Sequence, residues 1–293
     1  MSPGSVVRFC RPITLPAPVA GVIGGAVAAL AGWPADAWPL TAAVLSAILL
    51  TAASNGLNQI ADVATDRINR PDRPLPAGDI SNRYAWALVA TMLAAALALA
   101  WPAGTGYFLC VLITVPVTAA YSFPPLRTKR IPFLANATIA TPRGLLLVIA
   151  GWAVGGGALR TEAWILGGAA WLYIFGAATT KDFADVEGDR ATGCVTLPIL
   201  WGPRPAARFV APFLVVPFLA YPACAAAGWL PHGVFAWAIL GGSLALLGAI
   251  AAWLLVRDPA PPADGKPHPA WGLMYAQLAL AHIGAAALFA LAA

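Results

Sequence analysis

Two stretches of this 293-residue chain gather carboxylates at spacings that a helix would align. In the first, SNGLNQIADVATDRINRPDRPLPAG from Ser54 to Gly78, residues Asn58, Asp62 and Asp66 recur every fourth position. If the helix runs on through them, they drift only about 40° per step and form one polar stripe. The second, KDFADVEGDR from Lys181 to Arg190, puts Asp182, Asp185 and Asp189 at i, i+3 and i+7 on one helical face, with Glu187 pointing elsewhere. Charges at helix ends are commonly just solvated interface residues, but two clusters of three aligned polar groups, each with Arg or Lys beside it, favour a site. Like charges crowded against a low-dielectric medium suppress one another's ionisation unless a cation neutralises them. Neither motif contains His, and the aligned groups are all hard oxygens, a donor set that selects Mg²⁺ with positions left for water and phosphate.

Basic residues supply the complementary half. Arg67, Arg73, Lys129, Arg130, Lys181 and Arg190 fall on the same side of the chain's topology as the two motifs. Metal ions together with Arg and Lys make a clamp for a strongly anionic group such as a diphosphate. No GxxxxGK[ST] loop is present, so a nucleotide site of that type is unsupported. A diphosphate attached to something lipid-soluble fits better.

The elements that must position these residues are membrane helices. Hydrophobic residues make up 60% of the chain and charged ones only 10%, against roughly 25% charged in a soluble domain, which excludes a soluble globular enzyme. The same balance excludes disorder, and the 28 Gly and 27 Pro show no three-residue period of a collagen. The expected fold is all-α: a polytopic membrane protein with nine transmembrane helices around a central cavity, residues 1–293 forming one domain. Apolar runs between Pro, Gly and charge clusters predict spans at 13–33, 38–60, 83–102, 105–121, 132–154, 163–180, 206–229, 233–256 and 270–292. With the N-terminus cytoplasmic, 15 of the 17 Lys and Arg residues fall on the cytoplasmic side, leaving Arg160 opposite and Arg143 inside the fifth span. That bias selects N-in with an odd number of spans. Ten of the 12 acidic residues follow it, with Asp36 and Glu162 opposite. The expected localisation is the cell inner membrane, with the site's mouth on the cytoplasmic side.

The remaining features are structural. The net charge of +5 comes with no Lys/Arg run interleaved with aromatics, so no nucleic-acid partner is expected. Cys10, Cys110, Cys194 and Cys224 are scattered and read as small buried hydrophobes. No cleaved signal peptide is recognised at the N-terminus. The Pro-rich segment 257–269 reads as a mobile linker, the Gly151 and Gly155 spacing as close helix packing, and His232, His268 and His282 as incidental. Nothing in the sequence speaks to oligomeric state.

At the two acidic motifs the chain resembles the UbiA superfamily of intramembrane prenyltransferases, which has nine transmembrane helices and aspartate-rich motifs after the second and sixth. The segment NQIADVATDRINRPDRPLPAG is similar to the family's NDxxDxxxD followed by N-x-P-x-RP-L/I-P-x-G, through Asn58, Asp62, Asp66, Asn69, Pro71, Arg73, Pro74, Pro76 and Gly78. Gln59 stands where many members carry Asp; homogentisate-type members resemble this chain in having Asn-Gln there. KDFADVEGDRATGCVTLPILWG resembles KDxxDxxGDxxxGxxTLPxxxG through Lys181, Asp182, Asp185, Gly188, Asp189, Gly193, Thr196, Leu197 and Pro198. YSFPPLRTKR, from Tyr121 to Arg130, resembles the family's Tyr-Ser…Lys-Arg loop after the fourth helix.

The resemblance implies Mg²⁺-dependent transfer of a prenyl group from an isoprenyl diphosphate donor, with diphosphate released. Asn58, Asp62, Asp66, Asp182, Asp185 and Asp189 would hold the Mg²⁺. Asp62, Asp66, Asp185, Asp189 and Tyr121 would carry catalysis, while Asn58, Arg67, Lys129, Arg130, Arg143 and Lys181 would bind substrate. Tyr121 reads equally as an interfacial anchor. Arg143, charged inside a span, is open to an acceptor carboxylate or to the diphosphate. Its TPRGLLL setting resembles the ARGxLL segment of homogentisate-type members and leans toward an aromatic acceptor. A terpene cyclase on the same scaffold, needing no acceptor, is the alternative. A lipid or ion transporter is disfavoured, because the polar residues cluster at one mouth rather than across the midplane.

Overall fold

A computed structural model describes residues 2–154, 159–260 and 268–291. Its helices are α1 (Pro3–Cys10), α2 (Pro16–Leu30), α3 (Ala37–Ala61), α4 (Val63–Asn69), α5 (Asn82–Ala100), α6 (Thr105–Ser122), α7 (Leu134–Ala140), α8 (Leu147–Trp152), α9 (Thr161–Ala177), α10 (Val186–Ala191), α11 (Leu197–Trp201), α12 (Pro203–Ala226), α13 (Val234–Arg257) and α14 (Pro269–Leu291). A π-helical turn, Thr141–Leu146, joins α7 to α8, and a 3₁₀ stretch, Ala178–Ala184, continues α9. No strand occurs among the described residues.

Eight of these helices or joined helices are long and apolar enough to cross a bilayer: α3, α5, α6, α7 with α8, α9 with its 3₁₀ extension, α12, α13 and α14. The pair Pro3–Thr14 and Pro16–Leu30, bent by 51°, makes a ninth. Each expected span ends within four residues of an observed one. Most of segment 257–269 lies outside the described residues, as does Gly155.

The spans pack in a ring. α2 touches α3 and α14, α3 touches α5 and α6, and α9, α12, α13 and α14 follow in sequence. α2 also packs across against α8 and pinches the ring near its far end. Here Gly25 and Gly151 let the two backbones meet: a Cβ on Gly25 would lie 2.7 Å from the Gly151 Cα. Small residues are the usual means of such contact in membranes, where lipid supplies no hydrophobic drive between helices. Polar bonds add to it. Gln277 of α14, fully buried, donates to the carbonyls of Leu214 (2.8 Å) and Leu244 (2.9 Å) and accepts from the Tyr173 hydroxyl (2.9 Å), tying α9, α12, α13 and α14 together.

The outer surface is apolar. Trp33, Trp38, Trp101, Trp164 and Trp229 are exposed, and all five sit where helices end or begin on the side away from the acidic motifs. Such a row of amphipathic rings marks a bilayer interface.

Candidate functional site

Both acidic motifs break at their middle aspartate. α3 ends at Ala61, and Asp62 takes φ −107°, ψ 12° before α4 begins. The 3₁₀ stretch ends at Ala184, and Asp185 takes φ −110°, ψ 5° before α10. This sparsely populated bridge region is where many active-site residues sit. Continuous helices were expected at both places. The hydrogen-bond ladder nevertheless carries across the first break, with Asp62 N–H to Asn58 O at 2.9 Å and Asp66 N–H to Asp62 O at 2.7 Å. Asn58, Asp62 and Asp66 therefore still share a face.

The two motifs dock directly. Asn69, at the end of α4, donates from Nδ2 to the Asp185 carbonyl (2.9 Å) and accepts at Oδ1 from the Gly188 N–H (2.9 Å). A Cβ at Gly188 would fall 2.6–2.7 Å from three atoms of that amide, so only glycine leaves it room. The Thr65 and Thr192 hydroxyls meet at 2.8 Å, and Arg70 reaches the Asp185 carboxylate at 3.2 Å.

Between the motifs lies a polar cavity. Asn58, Asp62, Asp66, Asp185 and Asp189 line it, along with Arg11, Arg70, Arg73 and Lys181. Lys129 ion-pairs with Asp62, Arg73 pairs with Asp66 at 2.6 Å, and Lys181 lies 3.5 Å from Asp182 and 4.0 Å from Asp185. Burial pushes the Asp66 carboxyl above its ordinary range despite Arg73. Burial likewise lifts Asp189 to about 7, against the pull of Lys181 and with help from the nearby Asp182, Asp185 and Asp62. Lys129 is lowered, its desolvation outweighing the attraction of Asp62.

No three of the described His, Cys, Asp or Glu side chains converge on one point to cage a metal by themselves. The donor set still fits a hard cation that keeps other ligands. Asp66 Oδ2 is buried with no hydrogen-bond partner, and Asp185 Oδ1 has its Arg70 ion pair but no well-directed hydrogen bond. Buried carboxylate oxygens left in that condition are costly unless a cation meets them. Mg²⁺, which takes one or two carboxylates and keeps places for phosphate and water, suits such a pair of facing ridges.

A second, apolar cavity continues from the first, and Arg11, Asn58, Lys181 and Trp271 line both. It runs inward past Tyr121 and Thr51 to Val22, Ala47, Tyr107, Val111 and Ala150. Arg143, on the π-helical turn, faces this cavity near its polar end and donates to the Tyr275 hydroxyl at 3.3 Å. The Tyr275 ring meets Trp271 edge-on with centroids 5.0 Å apart. Arg11 also faces the cavity, from the left-handed residue (φ 55°) that ends α1.

Of the residues expected to bind or catalyse, the structure brings Asn58, Asp62, Asp66, Tyr121, Arg143, Lys181, Asp185 and Asp189 to the two cavities, and Lys129 to Asp62. Three go elsewhere. Arg67 is exposed and lines neither cavity, whereas Arg70, four positions beyond Asp66 on the same stripe, lines the polar one. Arg130 is exposed and bonds to the Thr192 carbonyl at 3.1 Å. Asp182, in the 3₁₀ stretch, lines neither cavity and sits against Lys181. Sequence reasoning passed over Arg11, Arg70, Trp271, Tyr275 and His268. The imidazole of His268 accepts from the Ala270 N–H at Nδ1 (3.1 Å), which leaves Nε2 to donate to the Asp258 carbonyl (2.9 Å), so it caps α14 while lining the polar cavity. Only the position of Arg11, basic and followed by proline at the foot of a span, could have singled it out.

A helical bundle that leads a greasy cavity up to facing carboxylates and cations is the build of an integral-membrane prenyltransferase. The model of the UbiA prenyltransferase family matches residues 18–275, and the chain belongs to that family. It is 32% identical over 213 residues to the bacteriochlorophyll synthase 33 kDa chain of Cereibacter sphaeroides, covering 70% of this chain and 69% of that one. To the digeranylgeranylglyceryl phosphate synthase of Methanoculleus marisnigri it is 36% identical over 208 residues, covering 70% and 71%. Among solved structures, a UbiA homologue from Archaeoglobus fulgidus bound to GPP and Mg²⁺ superposes with a TM-score of 0.76 at 20% identity, over 98% of this chain and 99% of that one.

Proposed function

We propose that this chain transfers a prenyl group, with Mg²⁺ bound, from an isoprenyl diphosphate to an aromatic acceptor carrying an acid group, at a site opening to the cytoplasmic side of the cell inner membrane. The observation behind this reading is the continuity of the two cavities, which share lining residues: a diphosphate would lie among carboxylates and cations and its hydrocarbon tail among apolar side chains. The fold neighbour solved with GPP and Mg²⁺ supports the choice of donor and ion. The sidedness rests on the distribution of Lys and Arg.

Asn58, Asp62, Asp66, Asp185 and Asp189 would hold the ions; bound there, Mg²⁺ supplies charge neutralisation for the leaving diphosphate. Lys129, Arg70, Arg73 and Lys181, which pair with the carboxylates, would turn to phosphate oxygens where those carboxylates hold cations. They stabilise charge that grows as the C1–O bond breaks, which lowers the barrier rather than merely tightening binding. Tyr121, at the junction of the cavities, presents its ring toward the allylic carbon, and the apolar walls keep water from the cation. Arg143 holds the acid group of the acceptor beside Trp271 and Tyr275. The acceptor's ring carbon then bonds to C1, and its proton leaves through the polar cavity. A guanidinium facing the apolar cavity favours an acceptor over the cyclase reading, which has no use for it.

Purified protein is incubated with geranyl, farnesyl and geranylgeranyl diphosphates, with and without hydroxybenzoate-type acceptors, while diphosphate and lipid products are followed. Release that needs both Mg²⁺ and acceptor is expected, and it is abolished in Asp62→Ala and in Asp185→Ala at unchanged expression. A cyclic product formed without acceptor would establish the cyclase instead. Unimpaired turnover in both variants would overturn the assignment of the acidic ridges.

A further inference from the structure

On α6 the lining residue farthest from the polar end of the apolar cavity is an aromatic one. Tyr107, near the start of α6, is 1% exposed, and its hydroxyl donates to the Ala43 carbonyl of α3 at 2.7 Å. A hydroxyl inside the bilayer must find a partner; bonding to a backbone carbonyl fixes this ring across the end of the cavity. Beyond it the protein is solid: Ala26, Ala43, Ala100 and Ala103 are wholly buried in the same cluster. The start of α6 is held too, since a Cβ on the neighbouring Gly106 would lie 2.8 Å from that of Ala153.

The depth can be measured along the helices. On α3 the lining runs from Asn58 at the polar end to Ala47, which at 1.5 Å per residue is about 17 Å. On α6 it runs from Tyr121 to Tyr107, about 21 Å by the same rise. An extended prenyl chain gains about 5 Å for each four-carbon repeat of its backbone, taking C–C bonds of about 1.5 Å. Three units therefore reach Ala47, four reach the Tyr107 ring, and a fifth has nowhere to go.

We propose that Tyr107 is the floor of the donor-tail cavity and that the donor is a prenyl diphosphate of four isoprene units. This rests on the prenyl-donor reading above and goes beyond it, naming chain length and the residue that sets it. Tyr107→Ala removes the ring and opens the cavity onto alanines; Ala47→Phe raises the floor by about one unit. Tyr107→Phe keeps the ring and loses only the hydrogen bond.

The test has a turnover arm and a binding arm. Rates with C10, C15, C20 and C25 donors are compared in the wild type and the three variants. Thermal shifts with the corresponding non-cleavable thiolodiphosphates are measured in the same detergent. In the wild type, kcat/KM rises from C10 to C20 and falls at least tenfold at C25. Tyr107→Ala raises the C25:C20 ratio at least tenfold, Tyr107→Phe leaves it unchanged, and Ala47→Phe lowers the C20:C10 ratio at least tenfold. A C25:C20 ratio near one in the wild type, or unmoved ratios in Tyr107→Ala, would mean that the tail leaves the protein sideways and would overturn the proposal. If Tyr107→Ala does not fold, Ala47→Phe decides on its own. A wild type that shows the C20 optimum in binding but releases no diphosphate would leave the floor standing and defeat the transferase reading.

Discussion

Replacing Gly188 with alanine tests whether the two acidic ridges act as one site. The new Cβ would sit 2.6–2.7 Å from Cγ, Oδ1 and Nδ2 of Asn69, whereas ordinary contact needs about 3.4–4 Å, so the amide is driven aside. Its bonds to the Asp185 carbonyl and the Gly188 N–H, both 2.9 Å, are lost together. At about 1 kcal/mol each, the loss is about 2 kcal/mol. If this energy holds the ridges at their working separation, kcat/KM falls about 30-fold. Alanine is favoured over glycine within a helix by about 1 kcal/mol, which offsets about half of that loss in folding stability. The expected signature is thus a fall in activity larger than the fall in unfolding temperature accounts for. Steady-state diphosphate release and thermal unfolding in detergent report the two quantities. Asn69→Ala supplies the control: once the amide is gone, adding Gly188→Ala costs nothing further. Activity of Gly188→Ala within threefold of wild type, or costs that simply add in the double variant, would refute the coupling.

Two more perturbations follow. Burial lifts Asp189 to about 7, and a carboxylate takes a cation only when ionised, so if Asp189 holds Mg²⁺ as proposed, half-saturation should tighten about tenfold between pH 6 and 8 and level off above. Asp189→Asn should remove that slope, and a flat wild-type profile would show that another group sets the ion's affinity. Arg143→Met should raise the KM for an acidic acceptor about ten- to a hundredfold, the worth of a hydrogen bond to a charged group, while leaving the KM for the donor in place. A change confined to the donor would assign Arg143 to the diphosphate instead.

What could be read from the residues and what could not divide along physical lines. The spans were legible because a bilayer demands about 20 apolar residues and rejects charge, a constraint that acts on each segment alone. The acidic ridges were legible because their spacing is local. The breaks at Asp62 and Asp185 were not, since nothing in ADVATD interrupts a helix and the glycine of FADVEG comes only three residues after Asp185; the docking of α4 on α10 accompanies them. Arg70 over Arg67 was open to the same i+4 count that aligned Asn58, Asp62 and Asp66. Arg11 and Tyr275 lie at opposite ends of the sequence and line one cavity because α2 packs on α14. Asn69 was visible as a motif residue, but its role became apparent only with Gly188 beneath it.

The residues shared by the two cavities stand at a boundary between phases as well as between compartments. A donor cleaved there comes apart into an ion that dissolves in water and a lipid that does not, and each departs by its own side. Resynthesis would require both to return at once from different media. The partition of the two products between water and lipid sets how far the reaction runs; the architecture only lets each leave by its own side.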